Sequence, residues 1–438
     1  MKYLLPFLLG IFLVFASCSG EGTTDPIIDD NEDPTGENPQ EEEPELITYF
    51  TFEVSRNTAD TDDWVIIHDE NGNLLDYKPF ESGDTLVFEI SEDEVQPNSL
   101  TITLLEYDNS ITANMLHNLN TYPEVPMGSH WKHTDDAEPV NENYRGAATG
   151  NFFVSLSNAV TPKYQVLSDR KGLISYQNGF FQQLEFNALI YDSSTIHYSI
   201  YDTNNDLKYF EIDGVSNDDQ IFIDYTDFQS YDSYVEINLP VDVYPSHFLI
   251  SEVTAFEEDR PMNMSGGVYF NYVISENNAT SPYKLGYLNS YSKYHTFLFL
   301  SLSSHAYFYE KYGAKPEEIS IPENPTISVT NESISNFQFE TNVDFQMKDV
   351  LWEVKEGSNM VDLVQTSWHI ISTPGFMGTI GEIPEEIQQT YPSIKINELK
   401  LSSTSLHLDF ITYPELIQRE FITPELKTFY QSNEIFSF

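Results

Sequence analysis

Apolar residues recur at every second position along much of the chain after residue 46. In Phe50–Val54 and Leu100–Leu104 they alternate with Thr and Glu. A period of two turns successive side chains to opposite faces of a β-strand. Further short runs, rich in aromatic and β-branched residues, have the length and composition of strands. These runs are Trp64–Ile67, Thr85–Ile90, Phe152–Leu156, Thr195–Tyr201, Gln220–Tyr225, Tyr234–Leu239, Phe248–Val253, Val268–Ile274, His295–Leu302, Ile319–Ile321 and Thr326–Thr330.

Turn signals separate these runs. Asn71–Gly72 and Asn178–Gly179 are dipeptides typical of two-residue hairpins, because that turn needs a positive φ at its central residues. No regular alternation of strand and helix is visible. The pattern predicts a mainly β fold of tandem antiparallel β-sandwich domains, immunoglobulin-like in type, with few short helices. The helical patterns are Ala306–Tyr312, Pro384–Gln389, Pro414–Phe421 and Pro424–Tyr430.

Breaks in the strand pattern divide the body into three segments. Proline-containing stretches near 159–162 and 322–325 interrupt the alternation. We therefore expect a β-sandwich-like domain at 46–160 and a β-rich domain at 161–322. A C-terminal β-rich domain with short helical segments follows at 323–438.

The first seventeen residues have the pattern of a secretory signal. Lys2 precedes an apolar run from Leu4 to Phe15, which is too short for a permanent transmembrane helix. Phe15-Ala16-Ser17-Cys18 resembles a bacterial lipobox, although Phe15 stands where Leu is usual. The resemblance implies that 1–17 is a lipoprotein signal peptide and that Cys18 is the site of lipid attachment. The alternative is an ordinary signal peptide with a chance Cys.

An acidic segment follows Cys18. From Ser19 to Glu45 there are eleven Asp and Glu residues and no Lys or Arg. Like charges and interspersed prolines predict that 18–45 is an extended, disordered tether. Acidic residues soon after the lipidated Cys resemble the surface-export signals of Bacteroidota lipoproteins. The resemblance implies an envelope protein, lipid-anchored to the outer membrane and surface-exposed; a periplasmic face is the alternative.

The charge and the cysteine content of the chain exclude several kinds of ligand and of structural site. The 438-residue chain has 20 Lys+Arg against 70 Asp+Glu, a formal net charge of -50, so nucleic-acid binding is not expected. The single Cys excludes an intramolecular disulfide framework and a Cys-cluster zinc site. Five arginines leave little capacity for bidentate capture of anionic groups, so a glycan ligand is expected to be neutral or bridged by a cation.

Two acidic turns are candidate Ca²⁺ loops. Oxygen-bearing side chains stand at alternate positions in each, and Ca²⁺ prefers several oxygen ligands. Asp and Asn are also the usual turn residues, and the interpretation as simple turns is preferred. Ca²⁺ is nevertheless the cofactor that the sequence suggests. The candidate ligands are Asp69, Asn71, Asn73, Asp202, Asn204 and Asp206.

A histidine-containing stretch is the second candidate. His130 and His133 flank Trp131 in the polar, proline-containing segment 118–146, which reads as a long loop. The imidazoles could ligate a transition metal, and the indole could stack on a sugar. We therefore name these three residues as ligand-binding candidates, although the interpretation as a plain loop is preferred.

Runs rich in aromatic residues are a third feature that could indicate a binding surface. Tyr283–Tyr287, Tyr291–Tyr294 and Tyr307–Tyr309 bring rings close together. Exposed rings pack on sugars and anchor protein partners, whereas rings at strand positions are more often half-buried in a sheet.

No nucleophile elbow, P-loop or zinc-protease motif is present, and no catalytic residue is assigned. The sequence thus favours a lipid-anchored cell-envelope binding protein that engages a neutral glycan or an envelope partner protein. The alternatives are a surface hydrolase using paired carboxylates and a structural adhesin or scaffold.

Overall fold

Strands make up most of the described chain, which confirms the expected mainly β fold. The computed structural model describes residues 44–55, 63–108, 115–134, 146–159, 162–178, 184–191, 195–204, 206–240, 248–257, 267–276, 281–357, 363–408, 412–423 and 432–438. The signal segment 1–17, Cys18 and nearly all of the acidic segment lie outside these residues. Residues 45–438 form one compact unit.

The first seven strands form two sheets that share one core. β1 lies between antiparallel β4 and parallel β7, while the second sheet has the order β3-β2-β5-β6. Apolar residues on the inner faces of both sheets pack together. We call 46–133 the first repeat. Its strands are β1 (Leu46–Val54), β2 (Asp63–Asp69), β3 (Leu74–Phe80), β4 (Thr85–Ser91), β5 (Leu100–Asp108), β6 (Met115–Val125) and β7 (Ser129–His133).

The next seven strands have the same connections. β8 lies between antiparallel β11 and parallel β14, and the second sheet contains β10-β9-β12-β13. This is the second repeat, 150–224, with its own core. Its strands are β8 (Gly150–Ser157), β9 (Pro162–Asp169), β10 (Gly172–Asn178), β11 (Glu185–Ile190), β12 (Thr195–Asp202), β13 (Leu207–Asp213) and β14 (Gln220–Asp224).

The third repeat, 233–321, contains six strands in the same scheme. β16 pairs with β19, and the second sheet has the order β18-β17-β20-β21. The preceding short strand, β15 (Gln229–Ser230), pairs with β13 at the edge of the second repeat. The six strands are β16 (Ser233–Ile237), β17 (Leu249–Phe256), β18 (Val268–Glu276), β19 (Tyr283–Tyr287), β20 (Lys293–Ser301) and β21 (Ala306–Gly313).

The C-terminal region begins with a two-stranded hairpin and continues with four strands and two short helices. A π-helical turn at Gln418–Ile422 extends the second helix. Its elements are β22 (Ile327–Asn331), β23 (Gln338–Thr341), β24 (Met347–Glu356), β25 (Val364–Ser372), α1 (Glu385–Thr390), β26 (Lys400–His407), α2 (Tyr413–Ile417) and β27 (Ser432–Ser437). Short 3-10 turns lie at Tyr225–Asp227, Ile334–Asn336 and Ile396–Glu398.

One twelve-stranded sheet joins the repeats. Its order is β18-β17-β20-β21-β27-β26-β24-β25-β6-β5-β2-β3. The C-terminal strands thus lie between the third and the first repeat, through the β21–β27 and β25–β6 pairs. The sheet contains strands from each of the segments 46–160, 161–322 and 323–438. The expected boundary near residue 160 lies between β8 and β9 of the second repeat.

The strand pairing differs from that of immunoglobulin domains. There the first strand belongs to the order A-B-E-D, whereas here the first strand of each repeat pairs with the fourth. The expected immunoglobulin-like topology is therefore not confirmed.

Most local expectations are confirmed, but one expected helix and one expected strand are wrong. Ile319–Ile321 does not form a strand, since it lies in the irregular segment between β21 and β22. Helices α1 and α2 form at Glu385–Thr390 and Tyr413–Ile417, which overlap the expected Pro384–Gln389 and Pro414–Phe421. Ala306–Tyr312 is strand β21, because Tyr307 and Tyr309 point into the core and both edges of the strand are paired. The stretch Pro424–Tyr430 lies outside the described residues. Among the described residues, no helix has the length and apolar character needed to cross a bilayer.

Candidate functional site

Trp131 is a core residue, which corrects its assignment as a ligand-contacting side chain. Residues 115–125 and 129–133 of the expected loop are strands β6 and β7. The indole is 0% exposed and stacks on Phe421, with 4.2 Å between ring centroids. A ring that is fully buried has no accessible face on which a sugar could pack.

His130 and His133 point to opposite faces of β7. His130 is exposed and lies 3.3 Å from the Glu53 carboxylate, while His133 is buried and lies 3.3 Å from Glu106. Residues three apart in a strand face opposite ways because the side-chain period is two. The expectation that both imidazoles ligate one metal is therefore wrong. Among the described residues, no group of three or more His, Cys, Asp or Glu is arranged to hold a metal ion.

The first candidate Ca²⁺ loop is a hydrogen-bonded turn between β2 and β3. The Oδ1 atom of Asp69 accepts backbone N–H groups from Asn71 and Asn73, both at 2.8 Å. Its Oδ2 atom accepts the side-chain amide of Asn73 at 2.7 Å. Gly72 has φ +82°, the conformation that this hairpin requires. The carboxylate thus closes the turn.

The second loop uses its first aspartate in the same way, but at a buried position. Oδ1 of Asp202 accepts the backbone N–H groups of Asn204 and Asp206 at 2.8 and 3.0 Å. Its Oδ2 accepts the hydroxyl of Tyr225 at 2.9 Å. Asp206 itself is exposed. These contacts favour the simple-turn interpretation for both loops.

The candidate functional site is a cleft where the second and third repeats meet. It has a volume of about 600 Å³. Its floor is largely buried and apolar, and its rim is polar and exposed. The second repeat contributes Arg170, Thr195, His197 and Glu211, and the third contributes Phe256, Glu257, Val268 and Asn289–Ser292.

The floor includes a neutral histidine. His197 lies on β12, where its ring stacks on Tyr209 with 5.1 Å between centroids and approaches Phe270 at 4.9 Å. Its Nε2 atom lies 2.9 Å from the hydroxyl of Tyr231. Burial lowers the pKa of His197 to about 3, so the imidazole carries no charge at neutral pH.

Among the residues that the structure describes, the rim carries more negative than positive charge. Arg170, in the turn between β9 and β10, lines the cleft together with two carboxylates, Glu211 on β13 and Glu257 after β17. Loss of hydration in the cleft wall, and then the negative charge of Asp213, raise the pKa of Glu211. The cleft therefore disfavours an anionic ligand.

Tyr291 supplies the accessible ring of the cleft. It is partly exposed, and its ring meets Phe270 edge-on with 5.5 Å between centroids. Of the three aromatic runs singled out in the sequence, only this one places a tyrosine in the cleft; Tyr283, Tyr287, Tyr294 and Tyr307 are buried.

The other cleft residues escaped the sequence interpretation because six separate segments of the chain supply the lining. Two of these residues are nevertheless unusual in their local sequence. Arg170 is one of five arginines in a very acidic chain and occupies a hairpin turn, and His197 lies in a strand rich in aromatic and β-branched residues that also carries Ser199 and Asp202.

A second charged group lies outside the cleft, on the outer face of the third repeat. His295 on β20 bridges two carboxylates, with Nδ1 3.1 Å from Glu252 and Nε2 2.8 Å from Glu310. Its ring stacks on Tyr312 at 4.3 Å. Burial by itself would lower the pKa of His295, but the two carboxylates outweigh it and raise the pKa to about 9. A protonated imidazole thus cross-links β17, β20 and β21.

Comparisons with known proteins give little guidance. No protein-family model and no curated protein matches the chain. Among solved structures, the translocation pore of the P pilus usher PapC matches with 10% sequence identity and a TM-score of 0.12. That alignment covers 79% of this chain and 65% of the usher chain. Similarity at this level carries no inference about fold or function.

Proposed function

We propose that this is a lipid-anchored cell-envelope binding protein that holds a neutral glycan in the cleft between the second and third repeats. The observation that carries the proposal is the combination of the Tyr291 ring and an apolar floor with a polar rim in one cleft of about 600 Å³. A sugar ring has an apolar C–H face and a belt of hydroxyl groups. It buries the face on an aromatic ring and bonds its hydroxyls to polar side chains.

The charge of the rim supports a neutral ligand. Two carboxylates, Glu211 and Glu257, accompany one guanidinium, and His197 is uncharged. A sulfated or uronate ligand would meet net repulsion here and across a chain of formal charge -50. Carboxylates instead accept hydrogen bonds from sugar hydroxyls.

The proposed location at the outer membrane rests on the N-terminal sequence. Acylation of Cys18 would anchor the chain to the outer membrane, and the acidic segment 18–45 would separate the anchor from a body of tandem β-sandwiches. Several acyl chains on one residue give a stable anchor, because each buried CH₂ contributes about 0.8 kcal/mol. The three repeats with one pairing scheme support the tandem arrangement.

A glycan array tests the binding function. We expect the body from residue 46 to retain neutral oligosaccharides, and Tyr291→Ala to lose them. Phe222→Ala is the matched control, since Phe222 is a 74% exposed ring on β14, away from the cleft lining. Equal retention by both variants, or retention of anionic glycans alone, would count against the cleft.

Mass spectrometry of the native protein tests the anchor. We expect an acylated cysteine as the first residue of the mature chain, and a Cys18→Ala variant that leaves the membrane fraction. An unmodified thiol at Cys18 would contradict the proposed location without affecting the cleft.

Hydrolysis of a bound glycan is the second candidate function. The supporting observation is that Glu211, whose pKa is raised, lines the same cleft as Glu257. Glycoside hydrolysis uses one protonated and one ionised carboxyl group. Release of reducing ends from a bound oligosaccharide, abolished in Glu211→Gln, would favour this activity; intact ligand after prolonged incubation would leave binding as the function.

A further inference from the structure

The hydroxyl group of Tyr231 fixes the tautomer of His197 in the cleft floor. This hydroxyl lies 3.0 Å from Oγ of Ser199 and 3.1 Å from the carbonyl oxygen of Phe270, and Ser199 donates its own hydrogen to the same carbonyl at 2.6 Å. The one hydrogen of Tyr231 therefore goes to Ser199 or to the carbonyl, since both accept it. Nε2 of His197, which lies 2.9 Å from the Tyr231 oxygen, then acts as the donor to it. A neutral imidazole that donates through Nε2 has Nδ1 as an acceptor.

This Nδ1 atom is an acceptor without a protein partner. No described residue donates a hydrogen bond to it. The described side-chain nitrogens that are fully shielded from solvent and unpaired include Nδ1 of His68 but not Nδ1 of His197. Since His197 lines the cleft, its Nδ1 is open to a ligand there. A ligand that fits donates to this atom, because an acceptor placed against it would leave both groups unpaired.

Apolar groups surround this acceptor. Phe270 approaches the His197 ring at 4.9 Å and the ring of Tyr291 at 5.5 Å between centroids. Val268 stands two residues before Phe270 on β18, so both side chains lie on one face of the strand. Phe256 lines the cleft together with Val268. A donor that reaches His197 therefore has a small apolar surface next to it, close to the ring on which a sugar would pack.

We propose that the cleft recognises an N-acetylated amino sugar through its acetamido group, with His197 as the specificity-determining residue. This inference rests on the proposed glycan-binding function. The acetamido N–H would donate to Nδ1 of His197, and the methyl group would pack on Val268 and Phe256. Ser290 and Ser292 flank Tyr291 in the lining and are exposed, so their hydroxyls are available as donors to the acetamido carbonyl.

The acetamido group satisfies both requirements of the cleft at once. It carries an N–H donor and a methyl group within one small substituent, and it has no charge. A hydroxyl group in the same place would supply the donor but would leave a polar group against the apolar surface. An amino group would add a positive charge next to that surface.

Three trisaccharides with the same β-linked backbone test the proposal: chitotriose, cellotriose and the glucosamine trimer. They differ only in the substituent at the second carbon, which is acetamido, hydroxyl or amino. Titration calorimetry of the full chain is expected to give chitotriose an affinity about tenfold above that of cellotriose, from one methyl contact and one hydrogen bond. Tightest binding of the glucosamine trimer would mean that the carboxylates of the rim capture a cation, and would overturn the proposal.

His197→Phe tests the acceptor. Phenylalanine keeps an aromatic ring between Tyr209 and Phe270 but has no nitrogen, so the preference for chitotriose over cellotriose should fall to about threefold. His130→Phe is the matched control, because His130 is exposed on β7 of the first repeat, and it should keep the tenfold preference. Thermal unfolding checks that both variants are folded. Equal preference in the two variants would overturn the proposal.

Val268→Thr tests the methyl contact. It replaces one methyl group of the side chain by a hydroxyl at nearly constant size, so the preference should again fall to about threefold. Val235→Thr makes the same change at a buried position on β16 and should leave the preference unchanged. An unchanged preference in Val268→Thr would overturn the proposed position of the acetamido group.

The tautomer of His197 can be read in the wild-type protein, whether or not the variants fold. Nitrogen-15 labelling of histidine gives separate NMR signals for protonated and unprotonated ring nitrogens. We expect His197 to have a protonated Nε2 and an unprotonated Nδ1, and we expect chitotriose to shift the Nδ1 signal. A protonated Nδ1 in the free protein, or an Nδ1 signal that chitotriose leaves unchanged, would overturn the proposal.

Failure of this inference is distinguishable from failure of glycan binding. Equal affinity for chitotriose and cellotriose, with both lost in Tyr291→Ala, would overturn the acetamido contact and leave glycan binding in the cleft intact. Retention of other neutral glycans without binding of chitotriose would do the same. Retention of no glycan at all would contradict both proposals.

Discussion

The rings of Trp131 and Phe421 lie face to face, with 4.2 Å between their centroids and 8° between their planes. The contact joins β7 of the first repeat to the π-helical turn after α2, almost three hundred residues later in the chain. Tyr122 packs edge-on against both rings. A tryptophan that looked like a sugar-stacking residue in the sequence is therefore a link between the N-terminal and C-terminal regions.

Truncation of this link should destabilise the whole body. We expect Trp131→Ala to lower the free energy of unfolding by about 3–5 kcal/mol, since it removes a fully buried aromatic ring. Trp131→Phe should cost less, because the indole N–H has no hydrogen-bond partner among the described residues and its loss carries no penalty. Urea unfolding measures both values. Equal costs for the two variants would contradict the stacked geometry.

The two acidic turns should differ in their contribution to stability. Asp202 is buried and accepts three hydrogen bonds, including one from Tyr225, so Asp202→Ala should cost about 3 kcal/mol. Asp69 makes equivalent bonds in a partly exposed hairpin, and Asp69→Ala should cost about 1 kcal/mol. Thermal unfolding of the matched pair tests the ranking, and a reversed order would show that the loops act in another way.

The same turns provide the test for calcium. Because main-chain N–H groups already occupy Oδ1 of both aspartates, CaCl₂ and MgCl₂ should shift the melting temperature equally. A larger shift with Ca²⁺ that disappears in Asp202→Ala would instead establish a calcium site.

The His295 cluster should make stability depend on alkaline pH. The folded-state pKa of about 9 exceeds the ordinary value of 6.5. Its stabilisation is therefore fully present below pH 6.5 and is lost as the pH rises through 9. The loss amounts to at most about 3 kcal/mol.

Comparison with His295→Gln isolates this contribution from other groups. Lys348, whose pKa burial lowers to about 8, titrates in the same range with the opposite sign. The difference in unfolding free energy between wild type and variant should shrink from pH 6 to pH 10. A difference that stays constant over that range would contradict a charged His295.

The excess of carboxylates should make stability depend on salt. Repulsion within a chain of net charge -50 is screened over about 8 Å at 0.15 M ionic strength. We expect the melting temperature to rise as NaCl increases from about 0.01 M to 0.15 M. KCl at equal ionic strength serves as the control for a specific effect of Na⁺, and a melting temperature independent of salt would show that the charges are already compensated.

Local structure was accessible from the sequence because it depends on neighbouring residues. The two-residue period predicted β1 and β5, and Asn71–Gly72 predicted the hairpin in which Gly72 has φ +82°. The same logic failed for Ala306–Tyr312, where apolar and aromatic residues stand on both faces and hide the period.

The pairing of strands that are distant along the chain could not be predicted from the sequence. β6 and β25 pair over Met115–Thr121 and Val364–Ile370, and nothing in either stretch specifies the other. The cleft depends on such pairing, because it combines turns and strand ends of two repeats. His130 and His133 were grouped by proximity in sequence, while the strand alternation that separates them appears once 129–133 is known to be β7.

The most direct measurement of the central claim is hydrogen exchange of the body with and without the neutral oligosaccharide that it retains best. The proposed site predicts slower exchange in the two segments that frame the cleft, Leu207–Asp213 and 288–292, and little change in β22 and β23. Tyr291→Ala should abolish the effect. Slower exchange confined to other regions, with 207–213 and 288–292 unchanged, would contradict glycan binding in the cleft.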